Sequence, residues 1–269
     1  MTGWRLLQRP RPSRRPRAGG YAEARYRLLR RRWRRRVLPR VAMVLVPILL
    51  VTLVVSAAAD GSVAWVAAVW FGAAASFWFY AIDAVPRHIE NWAVGAAGER
   101  QTEKALRPLE RLGWHFVHDL DRPGAGNVDH LAIGPSGVYV FDSKAWRGVV
   151  TVDSNGATVT PRDDPEAAWT ATGQQRALPK AATAAARALA AATGRSVPAA
   201  RAVVVIWSSF PQRHAISGSV DYVAGDYLAD WLLGQPKQLH RDHVADLAKL
   251  AHERLLAGDA PAVSAPVTP

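Results

Sequence analysis

The stretch Asn127-Val128-Asp129-His130, followed by Gly134-Pro135-Ser136-Gly137 and then by Phe141-Asp142-Ser143-Lys144-Ala145-Trp146, decides the fold. Apolar residues alternate on either side of a Gly-Pro-Ser-Gly cluster, the pattern of a β-hairpin. A turn centred on Pro135 and Ser136 sets residues whose numbers sum to 271 opposite one another, so Asp129 faces Asp142. Lys144, two residues further on, shares their face. Opposed β-carbons on paired strands are about 4.5 to 5.5 Å apart, and two bare carboxylates there repel unless a cation sits between them. Mg2+ or Mn2+ meets that need, since both favour carboxylate and water ligands and a bound ion polarises a phosphate and activates a water. Lys144 would orient that water or stabilise developing phosphate charge. A bulge in the glycine-containing turn would move the pairing by one.

Leu131, Ile133, Val138 and Val140 lie on the acids' face, while Val128, Ala132, Tyr139 and Phe141 lie on the other. Two apolar faces are the mark of central strands covered by helices. The competing reading, a solvent-exposed hairpin with two ordinary acids and a lysine, does not account for that second face.

Among the 269 residues there is no cysteine, which excludes disulfides and thiolate metal sites and leaves carboxylate or histidine ligands. His88, His115, His118, His214, His240, His243 and His252 form no HxH or HExxH pattern, so no zinc site is assigned. His130 follows the aspartate on the opposite strand face and reads as a packing or hydrogen-bonding residue. The net charge of +12 is unevenly spread: residues 1–40 hold fifteen arginines and one acid, Glu23, for +14, and the remainder sums to −2. The basicity belongs to the N-terminal segment, with a plausible short helix over Tyr21 to Arg30, and not to the part that carries the acids.

Val41 to Ala59 is a run of nineteen uncharged residues and Val63 to Ile82 a run of twenty, separated by Asp60-Gly61-Ser62. At about 1.5 Å per residue each run spans roughly the 30 Å hydrocarbon layer. The reading is a transmembrane helical hairpin over 41–83 with spans 41–59 and 63–82, Pro47 tolerated inside the first and Trp78 and Tyr80 at an interface. Arginines before the first span, and Arg87 and Arg100 after the second, put both termini in the cytoplasm by the positive-inside bias, hence a two-span cell-membrane protein. The basic tail, 1–40, then lies on an anionic lipid surface. Ala57-Ala58-Ala59 is the competing signal, a cleavage site after an apolar region, but the second span comes at once after it.

A soluble α/β region comes next. The spacing predicts a helix over 92–107 that Pro108 ends or kinks; its small-sided start, Gly95-Ala96-Ala97-Gly98-Glu99, allows close approach to a sheet. Strands are expected at 114–120, in the central hairpin, at 148–152 and 157–160 around an Asn155-Gly156 turn, and at 201–207. Helices are expected at 177–193, 227–233 and 240–256, with loops at 121–126 and 161–173. Five segments result: tail 1–40, hairpin 41–83, a domain at 90–210, a helical C-terminal extension at 211–257 and a Pro/Ala/Ser tail at 258–269. The element order describes a mixed central sheet flanked by helices.

Gly95-Ala96-Ala97-Gly98-Glu99, His118-Asp119-Leu120, Asn127-Val128-Asp129-His130, Gly134-Pro135-Ser136-Gly137-Val138 and Asp142-Ser143-Lys144-Ala145-Trp146-Arg147-Gly148 together resemble the nuclease-related domain (NERD) family. That family is placed in the PD-(D/E)xK nuclease superfamily, with archaeal Holliday-junction resolvases and restriction-type endonucleases. The strong match covers 95–150 and extends weakly to about 210. The resemblance implies a restriction-endonuclease-like fold, Mg2+ or Mn2+ as cofactor and DNA as partner. It implies Glu99 as the acid on the first helix, Asp129 as the central metal-binding aspartate, Asp142 as the variable acid and Lys144 as the lysine. The family more often has glutamate at the position of Asp142. Many relatives also carry a glutamine on the helix after the core strands, and Gln174 and Gln175 precede Pro179 here.

The leading reading is a membrane-anchored, metal-dependent hydrolase of DNA phosphodiester bonds, with Glu99, Asp129 and Asp142 at the metal and Lys144 at the water. The alternative is a catalytically inactive NERD-fold protein that binds nucleic acid or a protein partner at the membrane. The charge of −2 favours the alternative, although Arg100, Lys104, Arg107, Arg111, Arg147, Lys180 and Arg187 could form a local basic surface. A third reading is a tethered scaffold acting through its helical C-terminal part.

Overall fold

The computed structural model describes residues 17–59, 64–122, 126–194 and 196–252. The Asp60-Gly61-Ser62 turn, Pro123 and Gly124, the first sixteen residues of the basic tail, the end of the last expected helix and the 258–269 tail lie outside the described residues. The described chain forms two compact units, residues 21–94 and residues 17–20 with 95–252.

The first unit is built on two long helices, α1 (Gly20–Ala58) and α2 (Ala64–Asp83), and the first turns of α3 (Arg87–Leu106). The basic segment and the first apolar run are one helix: α1 continues through both Pro39 and Pro47, so no break separates residues 21–40 from the apolar residues after them. Both α1 and α2 are long and apolar enough to cross a membrane, and Met43, Val51, Val54, Trp65, Phe79 and Tyr80 are exposed along them. Basic side chains of α1 close the C-terminal end of α2, where carbonyl groups lack helical partners. Arg34 donates to the Ile82 carbonyl at 3.2 and 3.3 Å and Arg30 reaches Asp83 at 3.5 Å.

The second unit is an α/β sandwich. α3 ends at Leu106 and a 3-10 turn, Arg107–Leu112, begins with Pro108 next to its start, as the missing proline N–H requires. Strands β1 (His115–Arg122), β2 (Gly126–Gly134) and β3 (Gly137–Lys144) form an antiparallel meander. The central hairpin has the expected register without a bulge: His130 opposes Phe141, Leu131 opposes Val140, and Gly134 opposes Gly137 around Pro135 and Ser136. After β3 come β4 (Val149–Asp153), β5 (Gly156–Thr160) and β6 (Trp169–Ala171), which form a small antiparallel sheet. Residues 161–173, read from sequence as loop, therefore contain a strand; three residues are too few to show a period.

Helix α4 (Gly173–Thr193) crosses over to β7 (Arg201–Ile206), which pairs in parallel with β3. β8 (His214–Ser217) and β9 (Val220–Ala224) then complete a six-stranded mixed sheet in the order β1-β2-β3-β7-β9-β8. The stretch read as a helical extension, 211–257, thus supplies two sheet strands before its helices α5 (Leu228–Leu233) and α6 (Arg241–Leu250). Both sheet faces are covered. Leu131, Ile133, Val138 and Val140 pack with α4 and α6, while Ala132, Tyr139 and Phe141 pack with Leu106, Leu109 and the α5 residues Leu228 and Trp231. Val128 departs from the expected alternation and joins the α4 face, as does its partner Leu120. Between His118 and Leu120, Asp119 has φ +55° and drops out of the ladder, which turns Leu120 over.

Candidate functional site

The sheet brings the start of β2 beside the ends of β3 and β7, the C-terminal edge of the parallel strands, where ligand sites of open α/β sheets form. Asp129 enters from β2, and Asp142 and Lys144 project from one face of β3. Glu99 comes from α3, which approaches closely because Gly98 has no side chain: a β-carbon there would lie 3.3 Å from that of Ala145.

Each of the four has an internal partner. Lys144 Nζ donates to Asp142 Oδ1 at 2.6 Å, the Ser143 N–H donates to Asp129 Oδ2 at 2.8 Å, and the Gly19 N–H donates to Glu99 Oε2 at 2.8 Å. Among the described residues, no three acidic or histidine side chains stand close enough together to hold a metal ion as they are.

The electrostatics couple the set. Burial raises Glu99 to about 7, opposed by the Gly19 N–H and Lys144 and reinforced by the charges of Asp119 and Asp142. Asp129 is pushed well above the usual carboxylate range by burial, then by Asp142 and Glu99. Burial works to lower the Lys144 ammonium, but Asp142 and Asp129 outweigh it and hold it above the ordinary lysine value. Lys144 is therefore a cation and a hydrogen-bond donor at neutral pH, not a base. Carboxylate oxygens, on buried Glu99 and on half-buried Asp129 and Asp142, are the donor type that suits a hard divalent cation such as Mg2+ or Mn2+.

Behind the acids runs a buried polar network. His118 Nδ1 and His130 Nδ1 share a proton at 2.7 Å, and His130 Nε2 meets Ser143 Oγ at 3.2 Å. Ser143 Oγ and Thr102 Oγ1 are 2.7 Å apart, and Trp207 Nε1 donates to Thr102 at 2.7 Å. Burial lowers both histidines and depresses fully buried His130 strongly, so the pair is neutral. His130 serves hydrogen bonding, as its strand face indicated. The network interleaves with the site: His130 follows Asp129, Ser143 sits between Asp142 and Lys144, and Thr102 is about one turn of α3 from Glu99.

Three neighbours were not singled out in the sequence as site residues. Asp119 acts on Glu99 through its charge, and its left-handed backbone marks a constrained position. His118 was discoverable: β1 and β2 pair symmetrically, so it stands opposite His130. Tyr222 lies in one lateral row with Asp142 and Val204 across β3, β7 and β9. Its buried hydroxyl has no hydrogen-bond partner among the described residues, and burial and Asp142 raise it above the ordinary phenol value. Of the two glutamines in the first turn of α4, Gln175 donates to Ser217 Oγ at 2.5 Å, whereas Gln174 Oε1 is buried without a partner among the described residues. Trp146 is half-buried against the core and meets Trp169 edge-on, a packing role.

The exposed basic residues do not form one stripe. Lys104, Arg107 and Arg111 follow α3 and the 3-10 turn, while Lys180 and Arg187 are on α4, across the sheet.

Residues 94–206 match the family model described as nuclease-related domain, NERD. That span runs from α3 to the end of β7 and contains Glu99, Asp129, Asp142 and Lys144. Over those residues the chain is similar to a nuclease-related domain. No curated protein and no solved structure matches the chain.

Proposed function

We propose that the nuclease-related domain hydrolyses phosphodiester bonds of DNA with Mg2+ or Mn2+, held at a membrane by the helical hairpin of α1 and α2. The observation that carries this reading is the meeting, at one sheet edge, of three electrostatically coupled carboxylates with a lysine held as a cation. Asp129 and Asp142 would hold the ion, with Glu99 beside them. When bound, such an ion supplies Lewis-acid polarisation of a phosphoryl oxygen. Lys144, released from Asp142, donates to the attacking water or to a phosphoryl oxygen and offsets the charge that develops there. The network behind Ser143 keeps the Ser143 N–H aimed at Asp129 and so fixes that carboxylate. The arginines of α1 would face the cytoplasmic leaflet with both termini on that side, the basic segment lying on anionic lipid.

The test is cleavage of labelled linear, branched and single-stranded DNA by the full chain in detergent, with Mg2+, Mn2+ or chelator. Asp129→Ala and Lys144→Ala should each lower a metal-dependent rate on the order of 100-fold or more. Folded protein that binds DNA and cuts none of these substrates would support the second reading, a non-catalytic binder, which the split placement of the basic residues favours. Because the chain has no cysteine, single introduced cysteines report sidedness cleanly. Labelling of residue 30 from the periplasmic or extracellular side would overturn the orientation.

A further inference from the structure

Residues Arg17-Ala18-Gly19-Gly20, part of the basic tail by sequence, make a turn on α3 instead. The Gly19 N–H donates to Glu99 Oε2 at 2.8 Å and the Ala18 N–H to Glu103 Oε2 at 3.2 Å, so two successive peptide N–H groups converge on carboxylates one helical turn apart. Converging backbone N–H groups are a common way for a chain to bind an anion. Here the anion is the protein's own site acid.

The fit is close. Ala18 is only 3% exposed. Gly19 has φ +77°, and a β-carbon on it would lie 2.7 Å from the Ala96 carbonyl oxygen. A β-carbon on Gly20 would lie 2.9 Å from Asp119 Oδ2. Gly19 is thus required for the turn to reach Glu99, whereas a side chain at Gly20 would meet only the movable carboxylate of Asp119.

We propose that the Ala18–Gly20 turn is an intramolecular strap over the metal site: it occupies Glu99 from within the chain, and a divalent cation takes up Glu99 only when the strap lifts. The proposal rests on the metal-dependent reading above. An oxygen that accepts the Gly19 N–H is a poorer ligand, and the turn fills the approach to Glu99 and Asp119. Among the described residues the strap is held on α3 by these two hydrogen bonds, the buried Ala18 methyl group and the packing of Gly19 on Ala96, local contacts that can open without unfolding the sheet. Gly20 is also the first residue of α1, so the strap runs directly into that helix.

The test uses the full chain in detergent, with Mn2+ as the probe, followed by the paramagnetic resonance of free Mn2+ and by hydrogen exchange of the Ala18 and Gly19 amides. In the wild type, Mn2+ should speed exchange at both amides. Gly19→Val, which strains the turn and drives it against Ala96, should bind Mn2+ roughly tenfold more tightly, because the competent population rises. Glu103→Gln, which weakens only the outer hydrogen bond, should give a smaller gain, and adding Glu99→Gln to Gly19→Val should abolish it. If Mn2+ binds while both amides stay protected and all variants bind alike, the strap is a fixed part of the fold and the proposal fails, with the metal-dependent reading intact. If no form binds Mn2+, that reading fails and takes the strap with it.

Discussion

Two charged clusters stand at opposite ends of the six-stranded sheet and are built on opposite principles. At the start of β7, Arg201 donates to Asp221 Oδ2 at 2.8 and 3.2 Å, and His214 Nε2 meets Oδ1 at 3.0 Å. The same guanidinium donates to Gln235 at 2.5 Å and lies 5.0 Å from the ring of Trp231. Each charge there is matched, and the cluster ties β7, β8, β9 and α5 together. At the other end, Lys144 pairs with Asp142, while burial and the charges of neighbouring acids push Glu99 and Asp129 upward. A fold that needed stability alone would balance the second cluster as it balances the first. Acids shifted in this way are more frequent at functional sites than elsewhere, and the proposed function rests on that excess.

Exchanging one acid at each end gives the largest expected separation. Asp142→Asn should reduce cleavage on the order of 100-fold with a smaller change in urea midpoint, because the partner lost to Lys144 is offset by relief of Asp129 and Glu99. Asp221→Asn should leave cleavage in place but lower stability by about 2 kcal/mol, because Arg201 keeps its charge without a full partner. The reverse pattern would break the contrast between the two ends.

The next effect is a pH dependence. Glu99 is raised from 4.5 to about 7, so between those values the folded chain holds a proton that the unfolded chain has released. The resulting stabilisation is present in full below 4.5 and is lost as pH rises through about 7. Glu99→Gln should therefore melt higher than the wild type above pH 7 and lose that advantage near pH 5. The lowered histidines are common to both proteins and cancel in the difference. A constant offset in melting temperature across that range would show that Glu99 does not carry the strain.

The network behind the site belongs, by its matched hydrogen bonds, with the balanced end. Thr102→Val removes the contacts with Ser143 and Trp207 and should cost about 1 to 2 kcal/mol in urea unfolding. The smallest expected change in stability is that of Tyr222→Phe, within about 0.5 kcal/mol, since its hydroxyl has no partner among the described residues to lose. A drop in cleavage rate at unchanged stability would make Tyr222 part of the site.

The features legible in the sequence were local or periodic. The hairpin register followed from Pro135-Ser136 between two alternating runs, and with it the neighbourhood of Asp129, Asp142 and Lys144. Two apolar runs of spanning length and the ordered motifs from Gly95 to Gly148 were equally plain. Less could be read where an element depends on a distant partner. β8 and β9 have four and five residues, and β9 becomes a strand through its pairing with β7. The turn at Asp119 breaks the two-residue period that would have placed Leu120.

Local sequence is enough to specify an acid-and-lysine hairpin in a two-faced α/β sheet that follows two long apolar segments in the chain. Residue type, spacing and turn chemistry act within a few positions, and these suffice for elements and for pairing across a tight turn. What each charge meets is set by folding in three dimensions. Gly19 reaches Glu99 across 80 positions, Arg201 reaches Asp221 across 20, and Tyr222 aligns with Asp142 through β7. A buried charge takes its properties from whatever the folded chain brings within a few ångströms of it, and distance along the chain does not encode that.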